Sequence, residues 1–335
     1  MASVVQNWGE IIRTQNLAPE KTMDAVSKWL IITRASVFPM TLISGAIGGL
    51  LAASSGATDV RWGYFALALL GLVLAHAANN MINDYFDLEQ GVDDESSVRS
   101  QYAPHPVLSG LISKRGLILA IALVNLLDLA ILLYLNEARG WLVLVFALLG
   151  LFISVFYVAP PLKLKHRGLG EPSVFLVWAP LMIGGTYYVT AGELAPWVLV
   201  ASIPYGLLVT AVLMGKHVDK LETDTEKGIH TIPVLLGRER ALFLTQELIV
   251  AFFAMVVILV LTGTLGVWTL LVLLAIPRAW RILKVLSKPP PDEPPPGYPL
   301  WPLWYVASAF LVTRLAGGFF VLGLILTSIW PVFLS

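Results

Sequence analysis

The amino-acid sequence predicts an all-α, polytopic membrane protein with about nine transmembrane helices, and three observations lead there. Of its 335 residues, 57% are hydrophobic and only 13% are charged, where a soluble domain carries about 25% charged residues. Mean hydropathy is accordingly high, at +0.78. The apolar residues also come in continuous runs suited to membrane helices, unlike the alternating ~10-residue segments of a membrane barrel. Finally, helix pairs joined by very short turns alternate with long polar loops.

The first 33 residues are polar and of mixed charge, without the apolar core of a cleavable signal peptide. They form an N-terminal segment (1–33) ahead of a transmembrane domain (34–335). Apolar segments can be drawn at 37–57, 63–83, 117–135, 141–157, 174–191, 197–214, 241–262, 265–282 and 305–329. Several are shorter or more polar than an ideal ~20-residue span, so counts of eight or ten stay open. The tight turns fall at 58–61, 136–140, 192–196 and 263–264. The proline-rich stretch 289–302 reads as a stiff, extended connector into the last span, with Tyr298, Trp301 and Trp304 as interfacial anchors.

Charge distribution sets the orientation. Of 22 Lys and Arg, all but Arg61, Arg139 and Arg314 fall in the N-terminal segment or in and beside the loops that follow spans two, four, six and eight. The positive-inside tendency therefore places the N-terminus and these loops in the cytoplasm and the C-terminus outside a cell membrane. Net charge is zero, leaving no electrostatic pull toward nucleic acid. Cysteine is absent, which excludes disulfides, thiolate metal sites and cysteine nucleophiles. No feature asks for an obligatory protein partner.

Three polar segments break this apolar pattern. Asn80-Met81-Ile82-Asn83-Asp84-Tyr85-Phe86-Asp87, followed by Gly91, Asp93 and Asp94, ends the second span. On a helix, Asn80, Asn83, Asp84 and Asp87 stand at i, i+3, i+4 and i+7 and share a face. Such a stripe is costly at a membrane edge unless it faces a cavity and binds a positive group. Its sulfur-free oxygen donors suit a hard cation such as Mg²⁺. The simpler alternative is a helix that ends in water. After span six, Asp219, Glu222 and Asp224 form a second acidic cluster, and Asp219 and Glu222 converge if the helix continues. Two such clusters facing one another could hold Mg²⁺ and bridge a diphosphate. In the loop after span four, Lys163, Lys165 and Arg167 lie close together, suited to a leaving phosphate or to an ordinary positive-inside loop. Arg99 and Arg34 are further candidates.

Taken together, these segments resemble the UbiA superfamily of intramembrane prenyltransferases. N-x-x-N-D-Y-F-D with Gly91-Val92-Asp93 looks like its first aspartate-rich motif. Tyr157 to Glu171 (YVAPPLKLKHRGLGE), Gly184 to Val189 (GGTYYV) and Asp224 to Gly237 (DTEKGIHTIPVLLG) are similar to its 1,4-dihydroxy-2-naphthoate prenyltransferase (MenA-like) branch. The resemblance implies a helical bundle around a central cavity and Mg²⁺-dependent ionisation of a prenyl diphosphate, followed by attack of an aromatic acceptor, in a multi-pass enzyme of quinone (menaquinone) biosynthesis. By matched position it makes Asp84, Asp87, Asp219 and Lys163 catalytic. Asn80, Asn83, Lys163, Lys165, Arg167, Arg99 and Tyr157 would bind the diphosphate. Asn83, Asp84, Asp87, Asp93, Asp219, Glu222 and Asp224 would bind metal. One departure stands out: the second motif is usually D-x-x-x-D, and aligned from its right-hand Asp the first acid becomes Lys220, whereas a one-residue shift makes it Asp219. The residues from about Ala241 onward carry no assignable signature.

Tyr157 could also offer its π face to an allylic cation. His76 reads equally as cavity lining or as helix packing. Asn125, Asp128 and Arg314 should face protein or water rather than lipid, with Arg314 expected to be structural. Two further function classes remain beside aromatic prenyl transfer: a terpene cyclase or transferase to a non-aromatic acceptor, and a transporter, for which symmetric halves are not evident.

Overall fold

The computed structural model describes residues 2–334, which are helical almost throughout. Their sole extended pairing is a single parallel bridge between Arg167 and His230. Two helices precede the membrane region, α1 (Ala2–Thr14) and α2 (Ala25–Ile32). Asp24 caps α2 by accepting from the Val26 and Ser27 amides. Helix α3 (Phe38–Ser54) follows a single 3₁₀ turn and starts on Pro39, where the missing N–H costs nothing.

Helix α4 (Trp62–Glu89) runs six residues beyond the end read from hydropathy, so the whole polar stripe stays on one helix. At 28 residues it is about 42 Å long and extends out of the apolar layer. A short helix α5 (Val98–Tyr102), capped by Ser97, crosses the polar end. Helices α6 (Lys114–Arg139) and α7 (Leu142–Phe156) form a hairpin closed at Gly140. Next come α8 (Gly170–Leu176), a π-helical stretch (Val177–Gly184) and α9 (Gly185–Ala191), which together make one span. Pro180 lies inside the widened stretch, and the Ser44 hydroxyl donates to the Trp178 carbonyl there at 2.9 Å.

Helix α10 (Pro196–Asp219) is the central helix, followed by short α11 (Leu221–Glu226) and α12 (Ile232–Leu236) and then long α13 (Arg238–Leu261). A 3₁₀ stretch (Val267–Ala275) leads into α14 (Ile276–Leu286), and α15 (Tyr305–Ile329) closes the bundle.

Among the described residues, seven helices are long and apolar enough to cross a membrane: Ala35–Ser54, Trp62–Glu89, Lys114–Arg139, Gly170–Ala191, Pro196–Asp219, Arg238–Leu261 and Tyr305–Ile329. Helix α7, with 15 residues, is shorter. The expected span at 265–282 is corrected: it divides into the 3₁₀ stretch and α14. Ala279, Ile282 and Leu286 of α14 are buried while Arg278, Arg281 and Lys284 are exposed, and a helix charged along one side is not a lipid-embedded span. Seven of the nine expected spans coincide with these helices; α7 and the divided 265–286 segment occupy the positions of the other two.

The two halves of the bundle are packed differently. Helices α3, α9, α10, α13 and α15 enclose the main core, built around Ile47, Tyr187, Tyr205, Phe252 and Phe320. Across from it α6 buries only Leu117, Ala120 and Leu135 and turns Leu119, Leu123 and Leu126 outward, as lipid contact requires. Between these halves the bundle is hollow.

Candidate active site

A cavity of about 790 Å³ occupies that space, walled by α3, α4, α6, α7, α9, α10 and α15. Most of its wall is apolar, formed by residues such as Leu72, Ile131, Phe146, Leu181, Val209 and Phe310. Asn80, Asn83, Asp87, Lys216 and Lys220 gather where α4 and α10 end, while His76, Asn125, Asp128 and Arg314 lie elsewhere on the wall.

The α4 stripe reaches this end as the period of the helix requires. Asn80, Asn83 and Asp87 line the cavity, and all four stripe residues are buried. The Asn80 side-chain amide donates to the Thr33 carbonyl at 2.9 Å, tying the stripe to the segment before α3. The helix then closes on itself. The amides of Val92 and Asp93 both donate to the Asp87 carbonyl, at 2.7 and 2.9 Å. Gly91 makes this reversal with φ +67°, a conformation that side-chain-bearing residues rarely adopt. The result returns Asp93 to the cavity wall beside the stripe.

Asp84 is fully buried, and its carboxylate is taken up by cations rather than lining the cavity. Arg34 grips it through both Nε and Nη2, Arg99 Nε donates to Oδ1 at 3.2 Å, and His105 Nε2 stands 3.8 Å away. Arg34 holds a left-handed backbone (φ 54°), the kind of strained conformation found where a side chain must be aimed. Burial works against its guanidinium charge, but Asp84 outweighs burial and leaves Arg34 a fixed cation. Burial lowers His105 below the ordinary imidazole value. Its Nδ1 faces the Val107 and Leu108 amides, so the neutral ring carries its proton on Nε2, toward Asp84. Asp84, Asp93 and His105 converge within 4.8 Å of one another, yet two guanidiniums already neutralise Asp84. Asp84 thus orients Arg34 and Arg99, both of which line the cavity.

Asn83 Oδ1 and Asp93 Oδ1 are buried oxygens with no hydrogen-bond partner among the described residues, and both side chains line the cavity. Buried acceptors are normally satisfied, and hard oxygen donors are what Mg²⁺ prefers. Asp87 stands on the same face, bonded in both oxygens by Lys165 Nζ at 2.7 and 2.8 Å. These residues fit the ion.

The basic loop divides. Lys165 is buried and reaches the site through Asp87, while Tyr157 lines the cavity directly. Lys163 and Arg167 are absent from the cavity wall. The Lys163 backbone is left-handed (φ 44°), and exposed Arg167 donates to the Pro161 carbonyl at 3.0 Å. The tight turn between Pro160 and Arg167 buries Lys165 and leaves Lys163 and Arg167 farther out. His166, beside Lys165, is lowered to about 4 by burial and by that lysine's charge.

The second acidic segment departs furthest from expectation. The Asp219 carboxylate accepts the Tyr305 and Val306 amides at 2.9 Å each, satisfying two orphan donors at the start of α15. Gly215 permits this approach, since a Cβ there would lie 2.9 Å from the α15 backbone. Glu222 is exposed and paired with Arg238. Asp224 is buried with Oδ1 3.9 Å from Lys220 Nζ. None of these three acids, Asp219, Glu222 and Asp224, lines the cavity. Lys216 and Lys220 line it instead. The polar ends nevertheless meet, as Lys227 Nζ donates to Val92 O at 2.7 Å and Asp94 Oδ2 at 3.0 Å.

Lys216, Lys220, Tyr102 and His105 were not among the expected site residues; the signals for the lysines were their i, i+4 spacing and the alignment that puts Lys220 at the first-acid position of the second motif. His76 both lines the cavity and packs, bonding Thr41 Oγ1 through Nδ1 at 2.7 Å and meeting Trp178 edge-on. Asn125, Asp128 and Arg314 all face the cavity.

A helical membrane bundle around an apolar chamber, with amides, carboxylates and cations at one end, defines an intramembrane site for an amphiphilic anion. Residues 41–296 match the UbiA prenyltransferase family, and the chain belongs to that family. It is therefore a membrane prenyltransferase. The chain is 24% identical over 273 residues to the 1,4-dihydroxy-2-naphthoate octaprenyltransferase of Bacillus subtilis, covering 80% of this chain and 84% of the relative. It is 25% identical over 271 residues to the 2-carboxy-1,4-naphthoquinone phytyltransferase of Synechocystis, covering 80% and 85%. A UbiA homolog from Aeropyrum pernix shares the fold with TM-score 0.65 at 18% identity, covering 87% of this chain and 98% of that one. A UbiA homolog from Archaeoglobus fulgidus bound to GPP and Mg²⁺ superposes with TM-score 0.57 at 19% identity, covering 88% and 99%.

Proposed function

We propose that this enzyme transfers a polyprenyl group from its diphosphate to an aromatic acceptor of the naphthoate, quinone-precursor class and releases diphosphate. One observation carries the reading: the amide and carboxylate stripe of α4 and the apolar chamber belong to one continuous cavity. The chamber accepts an isoprenoid chain, and the polar end accepts its charged head. Relatives named for naphthoate prenylation support the acceptor class.

Asn83, Asp87 and Asp93 would hold Mg²⁺, which when bound supplies positive charge to the leaving diphosphate. Arg34 and Arg99, fixed by Asp84, present further positive charge where negative charge develops as the C–O bond breaks. The apolar wall keeps water from the allylic cation, which would otherwise hydrolyse. Tyr157, at the junction of the two regions, offers a π face to that cation. The electron-rich ring then attacks the allylic carbon, and the ring proton passes to the released diphosphate, restoring aromaticity. The excess of Lys and Arg in the loops at this end supports a cytoplasmic orientation for the head-group site.

Membranes containing the protein, supplied with Mg²⁺, labelled prenyl diphosphates and candidate acceptors, test the reading. Formation of a prenylated naphthoate is the expected outcome. Diphosphate release with a hydrocarbon product and no prenylated acceptor would overturn it in favour of a cyclase.

A further inference from the structure

The α10 side of the cavity carries lysine side chains where a second carboxylate-held metal would need oxygen donors. Lys216 and Lys220 stand one helical turn apart, on the same face, and both line the cavity. The three acids of the same segment are engaged elsewhere. Asp219 caps α15, Glu222 pairs with Arg238 at the surface, and Asp224 lies behind Lys220. Lys216 makes no hydrogen bond or ion pair among the described residues, in contrast to Lys165 and Lys220. For Lys220, burial opposes the charge, but Asp224, Asp93 and Asp87 outweigh it and hold the group above the ordinary lysine value.

We propose that Lys216 and Lys220 bind the diphosphate head group directly, with no metal ion between it and α10. Metal binding is then confined to the α4 side. The inference rests on the reading of the cavity as a diphosphate site. Side chains at i and i+4 place their β-carbons about 6 Å apart, a spacing that lets two flexible ammoniums reach both phosphate groups of one ligand. The Asp224 carboxylate behind Lys220 orients that ammonium without competing for the cavity surface.

The test measures binding of inorganic pyrophosphate to the full-length protein by calorimetry, in excess chelator and again in Mg²⁺. A geranyl thiolodiphosphate, which resists ionisation, serves as the second probe. The unmodified protein is expected to bind both probes in chelator. Lys216→Gln and Lys220→Gln should each weaken that binding roughly 10-fold, and the double variant should weaken it beyond either one. Lys216→Arg and Lys220→Arg keep the charge and should retain binding, which separates lost contacts from lost folding. Lys220→Asp should bind the probes only with Mg²⁺ present.

Failure of the unmodified protein to bind either probe in chelator would overturn the inference, as would metal-free binding unaffected by both lysine-to-glutamine changes. Prenyl transfer that persists under either result would sink the lysine assignment while leaving the enzyme's proposed function standing. Lysine-dependent, metal-free binding without prenylation of any naphthoate acceptor would do the reverse.

Discussion

Helices α4 and α10 both end at the polar mouth of one cavity, and both carry acids there, yet the fold uses those acids in opposite ways. On α4 the helix continues to Glu89, so Asn80, Asn83 and Asp87 keep their phase and line the cavity. On α10 the helix stops at Asp219 and the chain turns through Lys220 into α11. Gly215 also lets α15 approach closely enough for its first amides to take the Asp219 carboxylate. The inward face of α10 is therefore left to Lys216 and Lys220. Donor chemistry alone does not make a metal site; helix phase relative to the cavity, and competition from neighbouring backbone donors, decide which oxygens remain available.

The sharpest way to break this contrast is to remove one acid from each helix. Asp87→Ala should reduce prenyl transfer by roughly 100-fold or more, the scale on which a group that stabilises developing charge acts. Turnover of labelled prenyl diphosphate measures it, and activity within a few-fold of the unmodified enzyme would remove Asp87 from the site. Asp93→Asn tests the same side more gently. Loss of one carboxylate charge should raise the Mg²⁺ concentration needed for half-maximal activity by about 10-fold, with the aligned Asn83 and Asp87 donors still present.

Asp219→Ala should act on stability. Leaving the Tyr305 and Val306 amides without their partner is expected to cost about 1–2 kcal/mol, seen as a lower melting temperature in detergent. Metal dependence of the folded fraction should stay as it was; a shift there would return Asp219 to the metal site. The smallest effect belongs to Glu222→Gln. Its ion pair with Arg238 is solvent-exposed, and such pairs contribute about 0–1 kcal/mol. Neither melting temperature nor transfer should move measurably, and a large loss of activity would show that α11 reaches the cavity during turnover.

Much of the fold was legible because lipid imposes a one-dimensional rule: a spanning helix must be long and apolar, and both properties can be read along the chain. The last span, Tyr305–Ile329, matches the apolar segment at 305–329 end to end. The exception at 265–286 arises because Arg278, Arg281 and Lys284 repeat on one side of a helix that Pro277 starts afresh. Window hydropathy averages over that side and misses it. In the site, the stripe Asn80, Asn83 and Asp87 was legible because all its members share one helix and its period alone aligns them. Lys165 could not be told from Lys163 and Arg167, since a turn, not a period, selects which of the three points inward.

The sequence by itself determined a helical membrane protein with an oxygen-rich stripe at the end of α4, because hydropathy and the 3.6-residue period are local properties. Only the tertiary structure decided that Asp84 serves two arginines, that Asp219 serves α15, and that two lysines face the cavity from α10. Each of those outcomes depends on which distant backbone or side chain arrives first at a charged group, and buried charges must find partners wherever the packing of helices places them.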